Sequence, residues 1–346
     1  MKTTLTAIAL ALGAASAVAQ VPAGVTLYGI LDAAVRHAGN ASASRASLTS
    51  MDDGIFTGSR LGLRGREDLG GGQSAFFVLE SGFEVGTGLS LQSTATTDYG
   101  QTASNPRFWG RDAHVGLRGP LGAVTLGRQY TVAHSLAARM QPLGNPNSTA
   151  HSLFSSHHVA RQDNMLRLDT QVAGIDLTAS HTLGEQSSGG ANSAWALGAG
   201  YSKGALSLSG YVQQMKNVTG VETRKIVGAG GNYKLQPNLT LFGGLMKRSS
   251  AVSAQENLAW TLGANVELSP KVTLSLAHFS DAQSGSAALD GTRRVSWASL
   301  SYRFSRRSDV YAVIDQNRVV DGYAKPAYMG TKGTQTGAAL GLRHRF

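Results

Sequence analysis

The sequence predicts an all-β protein: a closed antiparallel transmembrane β-barrel of about sixteen strands, with short turns on one rim and long loops on the other. Three observations carry this expectation. Apolar and polar residues alternate at a period of two almost from end to end. Tight turns and long polar loops alternate as the connections between these segments. The chain opens with an export leader.

The leader comes first. Lys2, an apolar stretch from Leu5 to Leu12 and the small-residue end Ala17-Val18-Ala19 make a secretory signal over residues 1–19, leaving one barrel domain over residues 20–346. The apolar stretch is shorter than the ~20 residues that a membrane helix needs, and no later run is long enough either. With Cys 0, disulfides, thiol catalysis and cysteine metal sites are excluded.

Strands follow. In "VTLYGILDAAVR", Val25, Leu27, Leu31 and Val35 fall on one face, and Thr26, Tyr28, Ile30, Asp32 and Arg36 on the other. "ALSLSGYVQ", "AWTLGANVEL" and "PKVTLSLAHF" alternate in the same way. This is the strand period. Tight links occur at residues 69–72, 119–122, 173–174, 203–204, 236–238 and 269–271, each with Gly, Pro or Asn where the backbone reverses. Long polar loops cover residues 38–59, 86–105 and 184–193. The chain closes on "GAALGLRHRF": Leu342, His344 and Phe346 share one side, Arg343 and Arg345 the other.

A soluble sandwich and a membrane barrel both use alternating strands. A sandwich must blunt its edges, whereas a barrel has none and turns its apolar face to lipid. Strands of about ten residues, the length a tilted membrane strand needs, favour the barrel. Charged residues at 15% lie below the usual ~25% of soluble domains, in line with a lipid-facing surface. The 43 glycines, with no triplet repeat, are expected where rings lie flat over a neighbouring backbone, as at Tyr28-Gly29, Gly200-Tyr201 and Gly210-Tyr211. A barrel whose last strand closes the ring can end inside the lipid-facing alternation, with Phe346 as an interfacial aromatic.

The segments "VTLYGILDAAV", "SRLGLRGREDLGGG", "FFVLESGFE", "RDAHVGLRGPLGAVTLGRQY" and "GLRHRF" resemble the trimeric general diffusion porins of Gram-negative outer membranes, in particular their beta-proteobacterial branch. The resemblance covers nearly the whole mature chain. It implies a homotrimer in the outer membrane, in contact with lipid and lipopolysaccharide, and a third loop folded into the pore. That loop matches residues 131–162. The resemblance also implies a basic ladder on the facing wall. By motif, Arg60, Arg111 and Arg161 take those positions, and Arg64 shares the inward parity of Arg60. Ile30 replaces a basic residue that many enteric members carry. Phe346, His344 and Leu342 match the C-terminal signal read by the assembly machinery, with His344 where Tyr is frequent.

From Gln129 to Gln162 there is no Asp or Glu, but Arg139, His134, His151, His157 and His158 are present. Wall arginines without loop carboxylates give a net positive constriction, which Asp32, Glu80 and Asp163, all of inward parity, dilute. Rings of Arg are a physical device for anion pores. The expectation is therefore passive diffusion of small hydrophilic solutes with a preference for anions, without cofactor, metal or catalytic residue. A substrate-specific porin, an adhesin and a barrel-type lipase are the alternatives. No G-x-S-x-G elbow supports the lipase. The charge of +10 suggests nucleic acid, but there is no basic helix or RNA-binding motif and the chain is exported. His157 and His158 point apart and lack a third ligand, so solvated loop histidines are expected rather than a metal site. Trp109, Trp195, Trp260 and Trp297 are expected at the interface or facing lipid.

Overall fold

A computed structural model describes residues 24–285 and 288–346; the leader falls outside the described residues. The strands, in chain order, are β1 (Gly24–Ala38), β2 (Leu48–Asp53), β3 (Arg60–Gly70), β4 (Gln73–Phe83), β5 (Ser90–Leu91), β6 (Thr96–Asp98), β7 (Gln101–Ala103), β8 (Asp112–Gly119) and β9 (Gly122–Tyr130). After the short helix α1 (Val132–Ala137) come β10 (Arg161–Val172), β11 (Ile175–Thr182), β12 (Ala194–Lys203), β13 (Leu206–Lys216), β14 (Thr223–Gln236) and β15 (Leu239–Ser250). The last five are β16 (Glu256–Ser269), β17 (Val272–Ser284), β18 (Gly291–Arg303), β19 (Ser308–Asp321) and β20 (Thr334–Arg345). Sixteen long strands form the barrel, each antiparallel to its neighbours; β2 and β5 extend its upper edge, and β6–β7 is a separate hairpin.

The ring closes at β1. Its first half pairs with β3, from Gly24 opposite Arg66 to Ile30 opposite Arg60. On its other side it pairs with β20, from Ile30 opposite Arg345 to Ala38 opposite Gly337. The terminal Phe346 completes this seam by exchanging both backbone hydrogen bonds with Gly29, at 3.2 and 3.1 Å.

Alternation sets the register. Leu340, Leu342 and Phe346 face outward and are exposed in the single chain. Arg343 and Arg345 face inward, where both bind the carboxylate of Asp309. A one-residue slip turns these arginines into lipid, at about 2–4 kcal/mol each near the midplane and less near the interface. His344 is on the outward face and meets Ser308 Oγ at 2.8 Å.

Several rings do cover glycines, but across strands rather than beside their own chain neighbour. Tyr28 lies over Gly62, Tyr211 over Gly228, and Phe346 over Gly29. Gly200 instead faces the Arg139 guanidinium. The pleat explains this: residues adjacent in sequence point to opposite faces, so only a cross-strand neighbour shares a ring's face. One glycine run is conformational in origin. Gly70, Gly71 and Gly72 all have positive φ, which lets β3 reverse into β4 within a few residues.

Candidate functional site

The loop after β9 turns into the lumen. Thr131 caps α1 by accepting from His134 N–H, and the loop then runs along the inner wall from β12 to β19. Inward glycines make its bed. A side chain at Gly198 would collide with Val132 and Leu136, one at Gly244 with Met140, and one at Gly263 with Pro142. Here a missing Cβ permits close approach of backbone and loop. Part of the high glycine content is thus a track for this loop, a role its strand parity alone does not reveal.

Polar clamps hold the loop down. Ser209 donates to the Leu136 carbonyl at 3.0 Å and Asn232 to that of Arg139 at 3.0 Å. Trp297 Nε1 donates to the His151 carbonyl at 2.8 Å, and Asn317 to that of Ala150 at 3.1 Å. His157 Nε2 meets Asp281 at 2.8 Å, and His151 Nε2 lies 3.4 Å from Asp315, which also holds Arg36 through both guanidinium ends. The tip docks on the preceding first loop: Ser148 N–H donates to the Ile55 carbonyl at 3.0 Å, and Phe56 packs among His151, Trp297 and Tyr311.

Two expectations are corrected by this geometry. His151, His157 and His158 are buried rather than solvated. Loop residues packed against a barrel wall lose their water; His157 Nε2 finds Asp281 and His158 Nε2 finds His134, whereas both ring nitrogens of His151 and Nδ1 of His157 and of His158 are buried without a hydrogen bond. Trp297 is 4% exposed and faces inward, because its indole N–H is needed by the loop. Trp195 and Trp260 do lie on the outward face.

His134 Nδ1 and His158 Nε2 lie 3.2 Å apart, and the His134 ring stacks on Tyr130. Burial, then His158 and the Arg161 and Arg111 guanidiniums, hold His134 well below the ordinary histidine range. Burial, then His157, pushes His158 down to about 3. Both are neutral at physiological pH.

The opposite wall is where the sequence places the basic ladder. Arg111 Nε binds Glu80 at 2.6 Å, Arg60 Nη1 lies 3.5 Å from the same carboxylate, and Tyr28 Oη donates to it at 3.0 Å. Arg111 also reaches Tyr130 Oη at 3.2 Å. Arg161 lies over the Tyr130 ring, 4.0 Å from its centre. Arg64 faces inward over Tyr28 at 5.3 Å. Four guanidiniums therefore share this wall with two carboxylates, Glu80 and Asp112. Gly58 bridges the two sides, beside both Arg111 and the loop residue Asn147.

The remaining charged candidates sit apart from this group. Asp32 accepts from Tyr311 Oη at 2.6 Å and from Thr57 N–H at 2.9 Å. Asp163 is bound by Arg107 at 2.9 Å and Arg128 at 2.7 Å, two arginines outside the sequence motifs of the ladder. Arg139 points away from the wall, toward the short-turn rim, and pairs with Asp176 at 3.1 Å. Below the loop the lumen continues as a polar cavity of about 780 Å³ that includes Arg118, Arg139, Arg167 and Asp169. Among the described residues no group of His, Asp and Glu is arranged to hold a metal.

A closed barrel with a lipid-facing exterior, a polar lumen and a loop folded against its inner wall is an outer-membrane diffusion channel. The chain belongs to the Gram-negative porin family, whose model matches residues 4–322. It is a channel of the outer membrane, not an enzyme. An outer membrane porin protein of Bordetella pertussis is 37% identical over 185 residues, 49% of this chain and 45% of that protein. Outer membrane porin protein 32 of Delftia acidovorans is 28% identical over 98% of this chain and 99% of its own. Major outer membrane protein P.IB of Neisseria meningitidis serogroup B is 24% identical over the full length of both. Among solved structures, an anion-selective porin from Comamonas acidovorans superposes with a TM-score of 0.72 at 23% identity, covering 94% of this chain and all of that one. OmpT of Vibrio cholerae in a trimer form gives 0.68 at 12% identity, over 94% and 99%.

Proposed function

We propose that the protein is a general diffusion porin that passes small hydrophilic solutes and favours anions. The observation that carries the preference is the asymmetry across the lumen. Arg60, Arg64, Arg111 and Arg161 face a loop without a single carboxylate between residues 129 and 162, and only Glu80 and Asp112 offset them. Fixed guanidiniums stay charged at any physiological pH, so the bias is permanent. The likeness to an anion-selective porin supports the same reading.

The protein works as a homotrimer, as its structural relative in trimer form does. An outward apolar groove at β1, β19 and β20, with Ala33, Val35, Ala312, Leu340 and Leu342, is the contact face. The rest of the outward belt meets lipid and lipopolysaccharide. Leu342, His344 and Phe346 are read by the assembly machinery after residues 1–19 are removed.

Ion substitution in planar bilayers tests the preference. Replacing chloride by bulky acetate lowers single-channel conductance more than replacing potassium by lithium. The reverse order contradicts the proposal.

A further inference from the structure

A second basic site lies away from the ladder. Arg224 on β14 and Arg248 on β15 both face the lumen near the long-loop rim. The register sets Arg224 opposite Ser250 and Ile226 opposite Arg248, so the two arginines are diagonal neighbours on one face. Such neighbours sit roughly 7–8 Å apart, within mutual reach of long side chains. Like charges so placed repel, and neither arginine has a carboxylate within ion-pair distance among the described residues.

Their donors are underused. Arg248 Nη2 reaches only neutral acceptors, Gln255 Oε1 at 3.0 Å and Ser250 Oγ at 3.4 Å. Arg224 makes no hydrogen bond from its side chain among the described residues; the Tyr99 ring covers one face of its guanidinium at 4.2 Å. Both Nε atoms are buried and unpartnered. Asp281, on the same inner wall, is already bound by His157, Tyr323 and Asn257.

Tyr99 arrives from the β6–β7 hairpin of the second loop, which is fastened across this rim. Asn192 clamps it by accepting from Gly100 N–H and donating to the Gln101 carbonyl. Asp163 accepts from Thr102 N–H, and Asp98 accepts from Val218 N–H. The hairpin thus holds an aromatic roof over one guanidinium, and the terminal nitrogens of Arg224 carry no hydrogen bond among the described residues.

We propose that Arg224 and Arg248 form a binding subsite for a phosphate-type dianion, inorganic phosphate or a phosphate monoester, upstream of the basic ladder. Two adjacent guanidiniums favour a doubly charged tetrahedral anion over chloride, because each presents a planar fork to phosphate oxygens. The repulsion between the two groups is relieved when the anion binds. This rests on the anion-preferring reading above, and adds saturable binding to it.

The test is chloride current through single channels with inorganic phosphate titrated on the long-loop side. Wild-type current falls along a saturating curve. In R224Q/R248Q the half-effect concentration rises by about tenfold or more, the change expected on losing charge-assisted hydrogen bonds. The single variant R248Q, which leaves Arg224 and its Tyr99 roof in place, gives a smaller rise and covers the case in which the double variant fails to insert. A phenyl phosphate arm separates monoesters from free phosphate. A linear wild-type response, or a titration unchanged in both variants, overturns the subsite. The sign of the zero-current potential in KCl is read in the same experiment; a cation-selective sign counts against the anion-preferring reading, whether or not phosphate saturates.

Discussion

Glu80 is the one carboxylate bound to two arginines of the ladder, so Glu80→Gln isolates the electrostatic claim. The substitution is isosteric: the amide oxygen still accepts from Arg111 Nε in the place of Oε1, 2.6 Å away, and the amide nitrogen replaces Oε2, 3.0 Å from Tyr28 Oη, where it donates to that hydroxyl. One negative charge disappears from a wall holding four guanidiniums and two carboxylates. At about 7 Å from an ion's path, a unit charge contributes about 0.6 kcal/mol in bulk-like water and about 1.2 kcal/mol at half that dielectric constant. Screening at physiological ionic strength, with a Debye length of ~8 Å, reduces these to about 0.25–0.5 kcal/mol. Chloride gains what potassium loses, so the permeability ratio moves toward anions by about two- to fivefold. The assay is the reversal potential of the variant against wild type across a KCl gradient, on protein shown by circular dichroism to keep its β-sheet. An unchanged ratio, or a shift toward cations, refutes the assignment of Glu80 as the counter-charge of the ladder.

Four further outcomes follow from particular contacts. Gly228→Val places a side chain where the Tyr211 ring lies and destabilises the barrel by about 1–3 kcal/mol, read as a lower midpoint of urea unfolding in lipid. His158 has a folded pKa of about 3 against an ordinary value near 6.5, so the folded state resists protonation. The stability it confers is present above about pH 6.5 and is lost as pH falls toward 3; His158→Gln flattens that decline, measured by unfolding midpoints across the range. Because His134 and His158 stay neutral, replacing both by Gln leaves the profile of ion selectivity between about pH 6 and 8 as it is in the wild type, and a profile changed by the double variant contradicts their depressed pKa values. Trp297→Phe removes the donor to the His151 carbonyl and loosens the inward loop, seen as increased open-channel current noise with the mean conductance retained.

The barrel was legible because its signal repeats. Each of the sixteen strands restates the same alternation, and a register error turns residues such as Arg343 and Arg345 into lipid. Inward parity at Asp32, Glu80, Arg60 and Arg64 came from the same rule. What periodicity cannot encode is which distant segment meets an inward residue. Gly198, Gly244 and Gly263 have readable parity, but the loop resting on them is set only by the folded lumen. His151 and His157 look like solvated loop residues until Asp315 and Asp281 are brought beside them. Trp297 sits in a strand whose parity marks it as inward; its aromatic character pointed instead to lipid. The pairing of Arg107 and Arg128 with Asp163, and of Arg139 with Asp176, removes three cations from the open lumen count in a way that composition does not show.

The central claim is that fixed arginine charge opposite a carboxylate-free loop makes this channel favour anions. The zero-current potential of the wild-type protein across a KCl gradient, taken at about 0.1 M and again at about 1 M mean salt, tests it most directly, since the Debye length falls from about 10 to 3 Å between them. The account predicts an anion-selective sign that weakens at the higher salt. A cation-selective sign at low salt contradicts it.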